Sequence, residues 1–94
     1  MMDFQTFKEQ ISSLKVVYSI RDKVPYRICS VQSNRLTLQR ESTENYVEIK
    51  LDELYDFYIN ETVYNTKIAR EYVSGRVYSP AVAIIKELVK NSIN

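Results

Sequence analysis

The residues whose types and spacing come closest to an enzymatic site are Asp22, Glu48 and Lys50. In metal-dependent nucleases of one kind, a strand carries a carboxylate that binds Mg²⁺ and, two residues later, a lysine near the attacked phosphate, while an upstream acid completes the site. The chain has 12 acidic residues, so chance alone is expected to give such an acid-x-lysine step. On an alternating strand, Glu48 and Lys50 would also share one solvated face. We therefore predict no catalytic residue and no metal site, with the nuclease kept as an alternative.

Composition excludes several other chemistries. The chain has no histidine, which removes histidine-dependent nucleophilic catalysis and imidazole metal sites. Its one glycine, Gly75, cannot form a Gly-rich phosphate loop, so we expect no cofactor and in particular no nucleotide cofactor. Its one cysteine, Cys29, cannot form an internal disulfide, which favours the reducing cytoplasm. Because Cys29 falls within a predicted strand, we expect a buried structural thiol.

Charge is distributed unevenly along the chain, although the net charge is only +1. Residues 1–40 hold seven Lys or Arg against three acids, residues 41–62 hold one against seven, and residues 63–94 hold five against two. A basic field over the whole molecule, of the kind that drives nucleic-acid affinity, is therefore absent. A local basic face remains compatible with this distribution.

The predicted binding residues are Arg27, Arg35, Arg76 and Ser79. Ser79 followed by Pro80 is typical of a helix start, with the hydroxyl at the N-cap and proline at the first helical position. Free N–H groups at a helix start suit a phosphate when arginines flank them. The sequence thus favours a non-catalytic binding module that associates with nucleic acid through a local basic surface.

The elements that must position these residues follow from hydrophobic periodicity. Phe4, Phe7 and Ile11 recur at helical spacing behind Asp3, which is a suitable N-cap, so an N-terminal helix is expected. Alternation of apolar and polar residues then predicts three antiparallel strands over residues 26–31, 35–40 and 46–51. Residues 16–20 suit either a short strand or an extended entry segment. The predicted outward face of the second and third strands consists of Arg35, Thr37, Gln39, Tyr46, Glu48 and Lys50.

Three helices are predicted after the strands, over residues 52–59, from Asn65 or Thr66 to Val73, and from Ser79 to about Ser92. The tyrosines on the apolar stripes of these helices are expected in the core; they are Tyr55, Tyr58 and Tyr72. Three others are freer to stack on bases, namely Tyr26, Tyr46 and Tyr78. The apolar arc of the last helix is wider than a surface helix needs. Its members Val82 and Val89 therefore suggest an alternative function, a protein-interaction or homo-oligomerising domain.

The expected fold is α+β, in which residues 1–94 form a single compact two-layer domain. An N-terminal helix precedes a three-stranded antiparallel sheet and three C-terminal helices. The longest apolar run, residues 81–85, is far shorter than the roughly 20 residues that cross a bilayer. The first 14 residues also lack the pattern of a signal peptide, so we expect no membrane association.

The segment from Gly75 to Ile85 carries a resemblance to known proteins. Its Gly75-Arg76 step leads into an apolar helix that starts at Ser79, and it resembles the end of small, uncharacterised bacterial α+β modules. Some of those modules are appended to nucleases or other DNA-processing proteins. The order of strands followed by an acidic helix is similar over most of residues 15–90, although Pro80 departs from the bulkier residue at that position. The resemblance implies an accessory binding role rather than an activity.

Overall fold

Helices and strands follow one another as the sequence predicts, except for one additional strand. The computed structural model describes residues 2–92. The elements in chain order are α1 (Phe4–Ser13), β1 (Val16–Tyr18), β2 (Pro25–Gln32), β3 (Arg35–Arg40), β4 (Tyr46–Lys50), α2 (Leu51–Asn60), α3 (Thr66–Ala69) and α4 (Tyr78–Ser92). The α+β class is confirmed. Within residues 2–92, no helix is both long enough and apolar enough to span a membrane.

The sheet has four antiparallel strands in the order β1-β2-β3-β4. The prediction of three strands is wrong because the segment at Val16–Tyr18 pairs with β2, from Val16 opposite Arg27 to Tyr18 opposite Pro25. A strand of three residues is too short to show alternation clearly, so its pairing with β2 is what identifies it. Sequential strand order gives a simple meander in which each strand lies beside its neighbour in the chain.

The two faces of the sheet have different environments. Leu36, Leu38 and Ile49 are fully buried on one face, where α1, α2 and α4 pack to form the second layer. The opposite face, which we call the open face, carries the predicted outward residues. The register confirms them, since Arg35 lies opposite Lys50, Thr37 opposite Glu48, and Gln39 opposite Tyr46.

Helix α4 is the central helix of the core, which explains its wide apolar arc. It packs against β1, α1 and α3, and it buries Ile85 and Leu88 as expected. Val82 is also buried, with 4% of its surface exposed, so the prediction that it is an interface side chain is wrong. Val89 lies at the border of the core and is half-buried.

The start of α4 differs from the prediction. The Ala81 N–H donates to the carbonyl of Val77 over 3.1 Å, so Val77 precedes the helix and Ser79 lies inside its first turn. Proline is tolerated at Pro80 because the first N–H groups of any helix have no intrahelical partner. The pattern of a hydroxyl followed by proline therefore locates the first turn without fixing the first residue.

Two residues of β2 lie in environments opposite to those predicted. The pairing of β2 with β3 shifts between Ile28 and Ser30, which leaves Cys29 as the extra residue of a β-bulge. The bulge turns Cys29 outward, and its thiol is exposed rather than buried. Tyr26 points to the helical layer and is buried, so it is not available to a ligand.

Candidate functional site

An open cleft of about 610 Å³ lies at one end of the sheet. Its walls are residues 32–35 of the β2–β3 turn, residues 48–50 of β4, and Ser74 and Gly75 of the loop before α4. Three segments that are distant in sequence therefore meet around one space. We call this space the end cleft.

The turn that forms one wall is fixed by the helix that follows β4. Asn34 Oδ1 accepts a hydrogen bond from the Asp52 N–H over 2.8 Å, and Asn34 Nδ2 donates to Asp52 Oδ1 over 3.0 Å. The Asn34 carbonyl also accepts from the Leu51 N–H over 2.9 Å. Because β4 continues directly into α2, the residue at the N-cap is Lys50, which makes no capping bond. Asn34 supplies the missing cap from 18 residues away and holds the turn in place.

The opposite wall is held by the first turn of α2. Glu53 Oε1 accepts from the backbone N–H of Ser74 over 3.0 Å and from its hydroxyl over 2.9 Å. Gly75 and Arg76 then adopt left-handed backbone angles, with φ of 80° and 59°. A side chain at Gly75 would meet no atom within 4 Å, so lack of space does not require glycine here. Glycine suits this position because its positive φ is unfavourable for residues with a side chain. The turn places Arg76, which is exposed, directly after the cleft wall.

The side chains that line the end cleft include two cations and one acid. Arg35 and Lys50 face each other across the β3–β4 ladder, and both are exposed. Glu48 is the acid beside them, and its Oε2 lies 3.6 Å from Arg35 Nη1. An ion pair this exposed contributes little, about 0 to 1 kcal/mol, so both charges remain available to a ligand. The cleft therefore offers two cations to an anionic group, and the exposed Arg76 directly follows its wall residue Gly75 in sequence.

Of the four predicted binding residues, Arg35 lines the end cleft. Arg76 directly follows the cleft wall in sequence, whereas Arg27 lies opposite Gln39, about 14 Å from Arg35 along the strand direction. Arg27 Nη2 also contacts Glu41 Oε1 at 3.0 Å. Ser79 is not among the residues that line the cleft. Lys50 was not among the predicted binding residues, although the predicted alternation of the strands already places it on the same face as Arg35.

Two tyrosines are exposed on the open face. Tyr46 on β4 has 66% of its surface exposed, and Tyr18 on β1 has 57%. Of the three tyrosines predicted to be free for stacking, Tyr46 is the exposed one, since Tyr26 is buried and Tyr78 is half-buried below the Arg70 guanidinium. Tyr58 is buried, and Tyr55 and Tyr72 are half-buried, in agreement with their predicted core positions.

The acids of the nuclease alternative do not converge. Asp22 lies in the β1–β2 connection and Glu48 on β4, the opposite edge of the sheet, three strand spacings or about 14 Å apart. Among residues 2–92, no group of three metal-ligating side chains of the His, Cys, Asp and Glu types is close enough to hold an ion.

A second, shallower groove lies on the helical side, between the segment after α2 and the C-terminal half of α4. Its most exposed apolar residue is Val63, with 59% of its surface accessible. The residues that line it are Thr62, Val63, Tyr64, Lys86, Val89 and Lys90. We call it the helical groove.

Hydrogen bonds of two tyrosines hold the segment beside the helical groove. The Tyr72 hydroxyl donates to Glu61 Oε2 over 2.6 Å, and this bond raises the pKa of Tyr72 to about 12. The Tyr64 hydroxyl lies within hydrogen-bond distance of the Tyr58 and Glu61 carbonyls, and burial raises the pKa of Tyr64. One wall of the groove is thus tied to the end of α2.

Comparisons with protein-family models, curated proteins and solved structures give no match to this chain.

Proposed function

We propose that this chain is a non-catalytic, cytoplasmic binding module that associates with nucleic acid through the end cleft. The observation that carries the proposal is the pairing of two exposed cations, Arg35 and Lys50, at the end cleft, with the exposed Arg76 directly after the cleft-lining Gly75 in sequence. Arginine and lysine contacts to phosphate supply most of the affinity of such proteins and need no sequence recognition. The resemblance of residues 75–85 to small bacterial modules, some of which are appended to DNA-processing proteins, is compatible with this function.

The exposure of the two lining cations supports an anionic ligand despite the small net charge. Asp52 and Glu53, the first acids of α2, accept hydrogen bonds from Asn34 and Ser74, which directs their carboxylates toward the walls of the cleft. Elsewhere on the open face, Arg27 is paired with Glu41, so acids and bases are interleaved there. We therefore place the phosphate contacts at the exposed Arg35 and Lys50, which gives a small contact area.

Fluorescence anisotropy with labelled DNA, in low salt and over a salt series, tests the proposal. Binding should weaken steeply as the salt concentration rises. The substitutions Arg35→Ala and Arg76→Ala should each lower the affinity for all sequences. Each should also reduce the salt slope by about one for each phosphate that is no longer neutralised. Lys86→Ala is the matched control, because it removes one exposed positive charge from α4 in the helical layer. Equal losses of affinity in the control, or no binding at low salt, would contradict the proposal.

The second candidate is a protein-interaction module that uses the helical groove. The supporting observation is the exposed Val63 beside Val89, with Lys86 and Lys90 on the rim. That combination suits a partner whose apolar contact is surrounded by acidic residues, including a second copy of the chain. Sedimentation velocity tests the self-association form: a concentration-dependent dimer that Val63→Ser abolishes would support it, and a strict monomer would remove it.

A further inference from the structure

We infer that the nucleic acid bound at the end cleft is single-stranded, and that it follows β4 across the open face with a base stacked on Tyr46. This inference rests on the proposed function and adds the class of nucleic acid and the path of the strand. It combines the charges of the end cleft with an exposed aromatic ring on the same face of the same strand.

The positions of the β4 side chains define the path. Tyr46, Glu48 and Lys50 are alternate residues, so all three point to the open face. With a rise of about 3.4 Å per residue, Tyr46 lies about 14 Å from Lys50. A mononucleotide held by Lys50 and Arg35 would not reach Tyr46, whereas a longer strand would contact both. The site therefore fits an oligomer.

Tyr46 is the ring best suited to stacking. Within residues 2–92, its side chain has no ring partner and no hydrogen bond, whereas Tyr55, Tyr58 and Tyr72 each pack on other rings. Stacking of a base would cover apolar surface that now faces water. Every base has a π face, so this contact adds affinity without requiring a particular sequence.

The shape of the surface favours a single strand over a duplex. In a duplex the base faces are stacked on one another, and proteins read the edges by placing a helix or a β-ribbon in a groove. Here the ring lies on a sheet face, and α1, α2 and α4 pack on the opposite side. Tyr46 can reach the face of a base only when that base is unstacked.

Glu48 limits where the phosphates can lie. Its carboxylate lies between Tyr46 and Lys50 on β4, with Oε2 3.6 Å from Arg35 Nη1, and it would repel a phosphate placed directly above it. The phosphates are therefore expected at the Lys50 end of the track. A base above Glu48 could donate a hydrogen bond to its carboxylate from an amino group.

Anisotropy with one labelled oligonucleotide, used single-stranded and as a duplex at low salt, tests the inference. We expect tighter binding of the single strand, a loss of affinity of about tenfold with Tyr46→Ala, and retained binding with Tyr46→Phe, because the phenylalanine ring still stacks. Tyr18→Ala is the matched control, because it removes a similarly exposed tyrosine from the other edge of the same face. Circular dichroism and thermal melting should show that both alanine variants fold normally.

The possible results separate the inference from the function on which it rests. Equal binding of duplex and single strand, or unchanged binding with Tyr46→Ala, would overturn the inference; the proposed function would stand if Arg35→Ala still weakened binding. An equal loss of affinity with Tyr18→Ala would overturn the path along β4. Absence of binding to either form at low salt would overturn both.

Discussion

The two faces of the sheet share one backbone but have different roles. Leu38 on β3 is fully buried under the helices, while its neighbour Thr37 faces outward beside Glu48. Both residues belong to the same hydrogen-bonded ladder, so the ladder cannot account for the difference between them. The comparison indicates that the burial of side chains on the helical face stabilises the fold, and that the open face contributes little to stability and is free to bind a ligand.

The largest expected effect is on the buried face. Leu38→Ala should lower the free energy of unfolding by about 2 to 5 kcal/mol, because it removes buried surface and leaves a cavity. Thr37→Ala on the open face should change it by less than about 1 kcal/mol. Urea unfolding followed by circular dichroism measures both. Similar losses for the two variants would show that the open face contributes to stability as much as the core does.

A smaller effect is expected where the sheet meets α2. Asn34→Ala removes the cap of α2 and should cost about 1 kcal/mol, within the usual range for an N-cap. Asn60→Ala is the matched control, because Asn60 makes one exposed hydrogen bond, to the Asp56 carbonyl, at the other end of the helix. If Asn60→Ala lowered the free energy of unfolding as much as Asn34→Ala does, the loss would not be specific to the cap that Asn34 provides.

A third prediction concerns pH and the helical layer. The pKa of Tyr72 is about 12 in the folded chain, compared with 10.0 for a tyrosine outside the folded protein, because its hydroxyl donates a hydrogen bond to Glu61. A raised pKa means that the folded state holds this proton more tightly than the unfolded state. The associated stability is present below pH 10 and is lost as pH rises toward 12.

Tyr72→Phe provides the test, because it removes this ionisation while keeping the ring. Urea midpoints at pH 9 to 12 should fall more steeply for the original chain than for the variant, with the difference confined to the interval near pH 10 to 12. Parallel curves would show that the Tyr72–Glu61 bond does not contribute. All other side chains are the same in the two proteins, so the comparison cancels their effect.

The smallest change in stability is expected at the end cleft itself. Arg35→Ala should alter the free energy of unfolding by less than about 0.5 kcal/mol, because its pair with Glu48 is exposed. The same variant should clearly weaken nucleic-acid binding. Denaturant unfolding and anisotropy on one preparation therefore separate the two roles of the sheet; a large loss of stability would mean that Arg35 is structural.

Alternation was sufficient to predict the pairing of β3 with β4 and the residues of the open face. It could not predict the β-bulge at Cys29, because a bulge depends on how two strands fit each other rather than on the order of residues in one. The cap that the Asn34 side chain provides for Asp52 could not be predicted from the sequence either, since the two residues are 18 positions apart. Local patterns therefore nominated Arg35, Arg76 and Arg27 together, but only the folded chain shows that Arg35 lines the end cleft and that Arg27 lies elsewhere on the sheet.

The sequential order of the strands has a consequence for folding kinetics. Each hairpin closes a short loop, which is fast because little chain entropy is lost before the pairing forms. Helix α4 is different, because its partners β1 and α1 lie near the other end of the chain. During synthesis the meander can form early, but the core stays incomplete until α4 has left the ribosome. We therefore expect the docking of α4 to be the step that completes folding.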